Sequence, residues 1–419
     1  MQQGGKKVAA ANRIMRTLRI IGKTISCILL ISLLAVLLTA FSPIYRFRQP
    51  APFEGPDIFN PYRDLDTANC WKRALFHTHT RVKGPLPVNE CQYWPQQTWD
   101  ALRKLGYDIV TFSNHNEITQ HPFDPSLQVN VYEHGYSPLK FHKLVFGAKK
   151  VVCYDALLPL LASQKQFELD LLGQSSDFIQ INHPLRTVGM CQSHMEALSG
   201  YELMELDTGK STDNEYWDWA LSAGHYSFGL ANDDLHEPDR TGKIGRRSNF
   251  LCTASGRYDD LRKTLLSGCF YAMRIPDYGH GDWSVKYAKN RELPFIRDIG
   301  MRCDTIFMLL SATADSIRVT GQDHKTLALV QNTDSILYTF QREDHYARLT
   351  AFFPEGEVIY TNPFARYDAL SENPFNNAPQ ETDWLLTVLY NLLVVCLLSA
   401  TLWSIYRLLF RQCRCLREQ

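Results

Sequence analysis

Short apolar runs alternate with amphipathic stretches through the middle of the chain. The runs predict buried strands at ALF (74–76), DIVTF (108–112), KLVF (143–146), DFIQI (177–181), ELMEL (202–206), YSFGLA (226–231) and FLCTA (250–254). The stretches between them predict helices over 95–106, 155–173, 213–224 and 258–268, and several of these end in glycine, as helix C-termini do. This alternation predicts an α/β fold whose parallel sheet closes, or nearly closes, into a barrel.

The pattern changes after about residue 304. Strand-like segments follow one another at short spacing, with turn residues between them and no helical period: TIFMLLSA, SIRVTG, TLALVQN, ILYTFQ, YARLTAFF and EVIYTN. Such spacing is typical of a small antiparallel β-sandwich. Segments rich in proline and turn-forming residues, 43–70 and 366–383, are expected to be linkers.

Two uncharged apolar segments, 24–41 and 384–402, lie near the two ends of the chain. Each is about long enough to span a bilayer as a helix. Basic residues precede the first segment and follow the second: Lys6, Lys7, Arg13, Arg16, Arg19 and Lys23, then Arg407, Arg411, Arg414 and Arg417. Because such flanks tend to stay in the cytoplasm, both termini are expected there and the main domain outside. The alternatives are a cleaved signal peptide and a buried core helix.

The resulting organisation places a globular part between two membrane anchors. Its segments are a basic tail (1–23), a transmembrane helix (24–42), a linker (43–70), the barrel (71–300), the sandwich (301–365), a linker (366–383), a transmembrane helix (384–406) and a basic tail (407–419). The chain has no Asn-x-Ser/Thr sequon, which favours a bacterial envelope protein, here of the inner membrane. Lys+Arg and Asp+Glu number 44 each, so the charge gives no indication of a nucleic-acid partner.

Cysteines are the other feature that depends on the compartment. Of 11 in the chain, those in the middle part are Cys70, Cys91, Cys153, Cys191, Cys252, Cys269 and Cys303. An oxidising compartment permits disulfides, but an odd number leaves one thiol over and spacing does not name the pairs. Cys413 and Cys415, beside the second apolar segment, are either palmitoylation sites or plain surface thiols.

Histidines and acidic residues follow the predicted strands. His77 and His79 come after ALF in HTHT, His115 follows DIVTF in SNHNE, and His183 follows DFIQI in NHP. The run YSFGLA is followed by NDDLH, which contains Asp234 and His236. The carboxyl ends of barrel strands meet at one mouth, so these side chains are expected to converge. Imidazoles and carboxylates are ligands for zinc, manganese or iron. A single strand-end histidine is more often a hydrogen-bonded core residue, but the shared placement indicates a metal site.

In order and spacing, HTHT, the NHN of SNHNE, NHP and DDLH resemble the metal motifs of the polymerase-and-histidinol-phosphatase (PHP) family, over residues 72 to about 275. Residues 304–363 resemble the β-domain that follows the barrel in a membrane-free branch of that family. The resemblance implies a distorted (β/α)7 barrel that binds up to three divalent ions and hydrolyses a phosphate ester. It also implies a set of metal ligands: His77, His79, His115, His183, Asp234 and His236.

The chain departs from the family pattern at several positions. Where a further ligand is expected beyond HTHT, the sequence has Gly84, Pro85 and Leu86, and Asn114 stands where an aspartate usually precedes the second motif. The bridging glutamate is expected after KLVF, where the sequence has Lys149. No histidine lies between 143 and 182 to supply another ligand. We therefore expect one or two ions, with Lys149 a candidate catalytic residue in place of the glutamate.

Basic residues near the motifs are candidates for holding a substrate anion. Arg81 and Arg186 could clamp a phosphate, as could Lys83, although each could equally be a solvated surface charge. The expected substrate is a small-molecule phosphate or the phosphate of a lipid or glycan. Two other functions stay open: a catalytically degenerate domain that binds an anionic envelope ligand, suggested by Lys149, and an amide, carbamate or ester hydrolase, suggested by the β-domain branch.

Overall fold

The computed structural model describes residues 2–66, 71–82, 91–207, 214–371, 375 and 379–410, with side chains from residue 13 onward except that of residue 207. The chain divides into two compact units. The helical unit contains Met1–Arg46, Tyr154–Phe167 and Glu381–Gln419, and the sheet unit contains Phe47–Cys153 and Glu168–Gln380.

The helices of the described residues are α1 (Gln2–Leu38), α2 (Pro95–Lys104), α3 (Ala162–Gly173), α4 (Gln192–Met195), α5 (Asn214–Ser222), α6 (Tyr258–Ser267), α7 (Trp283–Lys289) and α8 (Trp384–Phe410). Their strands are β1 (Tyr45–Arg46), β2 (Asp57–Phe59), β3 (Lys72–Leu75), β4 (Ile109–Val110), β5 (Val131–His134), β6 (Lys143–Phe146), β7 (Phe178–Ile181), β8 (Leu203–Asp207), β9 (Phe228–Ala231), β10 (Arg247–Leu251), β11 (Phe270–Arg274), β12 (Ile296–Arg302), β13 (Thr305–Gly321), β14 (Lys325–Thr339), β15 (Tyr346–Phe352), β16 (Val358–Thr361), β17 (Phe364–Tyr367) and β18 (Glu381–Thr382). The chain is thus a mixed α/β protein.

In the helical unit, α1 and α8 contact each other, and both are long and apolar enough to cross a membrane. Most of their apolar side chains point outward; Trp384, for example, is 74% exposed. Side chains of α8 bind the segment after α1: the Tyr390 hydroxyl donates to the Ala40 carbonyl at 2.9 Å, and the Asn391 amide donates to the Ser42 carbonyl at 3.0 Å. A face of this composition suits contact with hydrocarbon, where unsatisfied polar groups are costly.

Two predicted helices illustrate how local sequence sets helix ends. The helix predicted from residue 155 begins only at Ala162, three residues after Pro159, because proline has no N–H and disfavours helical geometry before it. Helix α6 ends at Gly268, whose φ of +79° is left-handed. A Cβ there would lie 2.2 Å from the Phe228 ring, so both conformation and space require glycine.

A five-stranded sheet in the sheet unit has the order β5-β6-β7-β8-β9. Strands β7, β8 and β9 are parallel, as the alternation predicted, but β6 is antiparallel to both β5 and β7. In register, Lys143 of β6 pairs with Ile181 of β7, and Phe146 pairs with Phe178. The amino end of β6 therefore lies at the same edge as the carboxyl ends of its neighbours.

An eleven-stranded sheet has the order β12-β13-β15-β16-β11-β10-β3-β4, with β14, β17 and β2 paired at its side. Only β3 and β4 are parallel among its described pairs. The segment predicted as a sandwich is hydrogen-bonded into this sheet, since β16 pairs with β11. Strands β13 and β14 are long, and each spans two predicted strands. The register between them shifts between Leu309 and Ala314, and this shift accommodates the residues between the predicted strands without ending either strand.

Two isolated bridges join the sheets, Thr78 to Leu235 and His115 to Glu133, both parallel. Among the described residues the sheet unit has two open sheets joined by these bridges and no single closed ladder, and β1 pairs with β18 in a separate two-stranded sheet of the helical unit. Buried aromatic side chains fill the space beneath them: the Phe76 and Phe146 rings meet edge to face at 5.8 Å, and Phe146 stacks on Phe178 at 4.8 Å. Each fully buried ring of this kind stabilises the fold by roughly 1.5–3 kcal/mol. The bridges mark the edge at which the polar motifs collect.

Candidate metal centre

The HTHT motif begins two residues after the end of β3 and lies inside the protein. His77 is fully buried and His79 nearly so. Side chains two residues apart in an extended segment point to the same side, so both imidazoles enter the same space. Thr78 between them pairs with Leu235, which keeps the segment extended beyond the end of β3. The motif thus presents two imidazoles side by side, with 3.2 Å between their Nε2 atoms.

Glu133, near the carboxyl end of β5, lies at the centre of the site and is 1% exposed. Five imidazoles surround its carboxylate. The distances to its oxygens are 3.2 Å from His77 Nε2, 3.1 Å from His79 Nε2, 3.1 Å from His115 Nε2, 3.2 Å from His142 Nδ1 and 3.4 Å from His183 Nε2. Asn182 also donates to it at 2.8 Å. So dense a set of imidazoles around one buried carboxylate is typical of a metal site.

Asp234 supplies a second carboxylate on the other side of the HTHT pair. Its Oδ1 lies 3.2 Å from His77 Nε2 and 3.3 Å from His79 Nε2, while Arg186 donates to its Oδ2. The residue has a φ of +49°, in the left-handed region, and His183 has a φ of +27°. Such strained backbone in non-glycine residues is commonly retained where side chains must be aimed at a functional site.

A further carboxylate, Glu205 of β8, orients the imidazoles from behind. Its Oε1 lies 2.9 Å from His77 Nδ1, and its Oε2 accepts from the His183 backbone N–H at 2.9 Å. With Nδ1 as the donor, the lone pair of His77 Nε2 faces Glu133 and Asp234. Carboxylates that hold the outer nitrogen of a ligating histidine are a regular feature of metal sites.

Burial and charge act in opposite directions on these groups. Burial lowers the pKa of His77, but the carboxylates of Glu133, Glu205 and Asp234 outweigh it and raise that pKa well above its usual value. Burial raises the pKa of Glu133, but the imidazoles of His115, His77 and His142 hold it well below its usual range. The Glu133 carboxylate therefore stays ionised and attracts positive charge, whether from protons on the imidazoles or from a metal ion.

The donor atoms fit one or two divalent ions. His77, His79, Glu133 and Asp234 each offer an atom, and these lie within 4.8 Å of one another; His115, Glu133 and His142 form a second such group. Glu133 belongs to both groups, so its two oxygens could bridge two ions. In addition, His183 Nδ1 is buried without a hydrogen-bond partner among the described residues. Nitrogen and oxygen donors in this ratio suit zinc, manganese or iron.

Five of the predicted ligands lie within this cluster, and His236 lies beside it. The His236 ring stacks on His79 with 4.3 Å between centroids, and its Nδ1 is 2.8 Å from the Asp234 carbonyl oxygen. The side chain is 32% exposed and is in neither donor group of the described residues. It covers the outer side of His79 in this structure.

The assignment of Lys149 to the site needs correction. Its side chain is exposed, and its backbone N–H donates to Ser175 at the end of β6 away from His142 and His183. The prediction assumed that β6 runs parallel to its neighbours, which would bring the residues after KLVF to the site. Because β6 is antiparallel, its carboxyl end points away, and the central carboxylate is Glu133.

Sequence reasoning missed both Glu133 and His142. Glu133 lies in VYEH, a strand that was not predicted, and His142 precedes β6, whereas the predicted ligands all follow apolar runs. The apolar residues Val129 and Val131 before Glu133 were a usable strand signal. The predicted departures at Gly84, Pro85 and Leu86, like Lys83, lie outside the described residues.

The two arginines predicted to bind substrate have different surroundings. Arg186 ends a short 3-10 helix, Pro184–Arg186, directly after His183, and it pairs with Asp234. Burial lowers its pKa, but the carboxylate of Asp234 outweighs this, so the guanidinium stays charged. Arg81 is exposed and stacks on Trp94, with 5.0 Å from the guanidinium carbon to the ring centroid. Of these two arginines, Arg186 contacts a residue of the cluster, whereas the described contact of Arg81 is with Trp94.

No protein-family model and no curated protein matches the chain. Among solved structures, it is similar to a two-domain protein from Bacteroides vulgatus ATCC 8482 described as containing a predicted PHP-like metal-dependent phosphoesterase. The two are 14% identical, the alignment covers 75% of this chain and 99% of that chain, and the TM-score is 0.37.

Proposed function

We propose that this protein is a membrane-anchored, metal-dependent hydrolase of phosphate esters, with a site of the PHP type. The observation that carries the proposal is the buried Glu133 carboxylate, which lies within 3.4 Å of five imidazoles and shares two of them with Asp234. A cluster of this kind costs free energy to bury, and binding of a divalent ion would offset that cost.

One or two zinc, manganese or iron ions would be held by the two groups that share Glu133. One ion would use His77, His79 and Asp234, and the other His115 and His142. A bound ion would act as a Lewis acid on a phosphoryl oxygen. Glu205 would keep His77 in the tautomer whose Nε2 can ligate.

Arg186 would orient the substrate anion. A guanidinium has five N–H donors, and its pairing with Asp234 leaves donors that could face a phosphate. Its position three residues after the buried His183 places charge beside the cluster. Arg81, which is exposed and stacked on Trp94, would act at a greater distance from the cluster by charge attraction.

The substrate would be a small-molecule phosphate, or the phosphate of a lipid or glycan, and no nucleic acid is expected. Two apolar helices with basic flanks support an anchored protein in the bacterial inner membrane, with both termini cytoplasmic and the sheet unit outside. The strands within 71–300 would belong to the distorted (β/α)7 barrel, and the strands within 301–365, which are joined to it through the pairing of β16 with β11, would be the sandwich.

The rival functions have less support. Lys149 suggested a degenerate binding domain, because the sequence has it in place of the bridging glutamate. In the structure the Lys149 side chain is exposed, and Glu133 is the central carboxylate. Amide or carbamate hydrolysis would use the same ions on a carbonyl oxygen. Arg186 favours an anionic substrate over a neutral one, so phosphate esters come first.

The test uses the purified full-length protein in detergent. Metal content is measured by mass spectrometry, and hydrolysis is measured on a panel of phosphate mono- and diesters. Glu133→Gln should lose most of the metal and the activity, because it removes the charge that both donor groups share. His280→Ala, whose side chain is 89% exposed, is the matched control and should change neither. Full metal retention in Glu133→Gln, or a metal-loaded wild type inactive on the whole panel, would contradict the proposal.

A further inference from the structure

Cys252 and Cys269 lie directly opposite each other across two antiparallel strands of the sheet unit. Strand β10 pairs with β11 so that Leu251 faces Phe270, and the next pair outward is Cys252 and Cys269. The Cys252 backbone N–H donates to the Cys269 carbonyl at 3.0 Å, so the pairing continues through the two cysteines. Both are thiols in this structure.

The geometry of the pair matches that of a disulfide. Directly opposite residues of antiparallel strands have Cα atoms about 4.5–5.5 Å apart. Disulfides span Cα separations of about 4.4–6.8 Å. The two thiols also shift each other's pKa in opposite directions, as neighbouring side chains do.

We propose that Cys252 and Cys269 form an intramolecular disulfide, made by exchange with a disulfide oxidant. The inference rests on this strand register and on the backbone hydrogen bond between the two cysteines, and it is independent of the proposed hydrolase function. It selects one pair from the seven cysteines of the middle part of the chain, which spacing alone could not do.

The two thiols differ in a way that suits sequential exchange. Cys252 is partly exposed, whereas Cys269 is buried. Hydrogen bonding with the Cys269 thiol outweighs burial and lowers the pKa of Cys252 below that of an ordinary thiol, which favours its thiolate. The backbone N–H of Asp66 also donates to the Cys252 sulfur at 3.4 Å. Cys252 is therefore the attacking sulfur, and Cys269 is the resolving one.

The chemistry balances with a low-molecular-weight or protein disulfide as the oxidant. The Cys252 thiolate attacks one sulfur of the oxidant, which breaks the oxidant's S–S bond and releases its other half as a thiolate. The Cys269 thiol loses its proton and attacks the Cys252 sulfur, which forms the internal bond and releases the second half. Two thiols lose two electrons and two protons, and the oxidant becomes two thiols.

The bond would close the segment that contains α6 (Tyr258–Ser267) and tie β10 to β11. Strand β10 also pairs with β3, where Leu251 faces Lys72, and His77 follows β3. A disulfide at this place would restrict opening of the sheet at the end of β3 away from His77, because Leu251 faces Lys72. In an entropic account, closing a loop of this length stabilises the folded state by restricting the unfolded chain.

The experiment starts from the full-length protein, fully reduced in detergent and then incubated with oxidised glutathione. Remaining thiols are blocked with a maleimide, and peptides are mapped by mass spectrometry without reduction. We expect a peptide pair linked through Cys252 and Cys269 in most molecules. The linked protein should have a Tm roughly 5 °C above that of the reduced protein.

Cys252→Ser should abolish the linked peptide and the Tm difference, and its partly exposed position makes the variant expected to fold. Cys303→Ser, at an exposed cysteine, is the matched control and should retain both. Glutathione adducts or maleimide on both Cys252 and Cys269 would overturn the proposal. A link from Cys252 to Cys70, which lies outside the described residues, would overturn it equally.

Discussion

His77 Nδ1 lies 2.9 Å from Glu205 Oε1, and both side chains are fully buried. The contact leaves His77 Nε2 directed at the two carboxylates of the cluster, 3.2 Å from Glu133 and 3.2 Å from Asp234. A histidine ring can donate from one nitrogen and ligate through the other only if its tautomer is controlled. Glu205 therefore favours the tautomer of His77 in which Nδ1 carries the proton and Nε2 is free to bind an ion.

Glu205→Gln tests this positioning role. The amide keeps the size of the side chain but removes the charge that supports the His77 tautomer. We expect the affinity for zinc or manganese to fall about 10–100-fold, as is typical when such a partner is lost. Metal titration of the full-length apoprotein measures it. Glu355→Gln, at an exposed glutamate paired with Lys289, is the control. Unchanged affinity in Glu205→Gln would show that the tautomer is set by other groups.

Lys149→Glu distinguishes the structure from the sequence prediction. If Lys149 occupied the place of a bridging glutamate, the substitution would raise metal stoichiometry. Because the side chain is exposed and lies beyond the far end of β6, we expect no change in stoichiometry and less than about a twofold change in kcat/KM. Lys150→Glu, at the neighbouring exposed lysine, should behave alike. A rise in bound metal with Lys149→Glu alone would mean that β6 runs as first predicted.

Arg186→Lys tests recognition of the substrate anion. Lysine keeps the charge but loses the planar pair of donors, so binding of a phosphate should weaken while the ions remain. We expect KM for a phosphate ester to rise about tenfold with little change in metal content. Arg240→Lys, at an arginine whose side chain is 64% exposed, is the control. A fall in metal content instead would assign Arg186 to holding Asp234 in place.

The buried pair of Asp218 and Arg348 should make stability depend on pH. The two form hydrogen bonds at 2.5 and 2.7 Å and are almost fully buried. Burial raises the pKa of Asp218, but Arg348 and His324 outweigh it and leave that pKa below its ordinary value. The stabilisation is thus fully present above the ordinary pKa of about 4 and is lost as pH falls through the depressed folded value.

We expect Asp218→Asn to destabilise the protein by about 3–5 kcal/mol at pH 7, because it leaves a buried guanidinium without its partner. The difference from wild type should shrink as pH falls below about 4. Thermal unfolding of both proteins over this pH range measures it. Asp334→Asn, at an exposed aspartate, should match wild type throughout. A difference that stays constant down to low pH would show that Asp218 is not ionised when folded.

Reporter fusions test the membrane topology. Alkaline phosphatase joined after Asn60 or Leu370 should be active, because both positions are expected outside the cytoplasm. A fluorescent protein fused to the C-terminus should fluoresce, since the basic flank is expected to keep that end inside. Each position is tested with both reporters, so that a position inactive with one reporter should be active with the other. Fluorescence at either loop position would reverse the orientation derived from the basic flanks.

Local sequence determined much of this protein. The apolar segments 24–41 and 384–402 predicted the helices α1 and α8, because length and composition alone decide whether a helix can span a bilayer. The KLVF run is β6 to the residue. Polar motifs after apolar runs also indicated where His77, His79, His115 and His183 meet, since residues at strand ends share one edge of a sheet.

Tertiary structure decided the direction of each strand and hence the rest of the site. An apolar run looks the same whether its strand is parallel or antiparallel to its neighbour, because the period of two does not encode direction. Only the pairing of β6 with β5 and β7 brings His142 to Glu133 and leaves Lys149 exposed at the far end. Likewise, only the pairing of β16 with β11 makes the predicted sandwich continuous with the sheet of β3. Such pairings join residues distant in sequence, so no local pattern contains them.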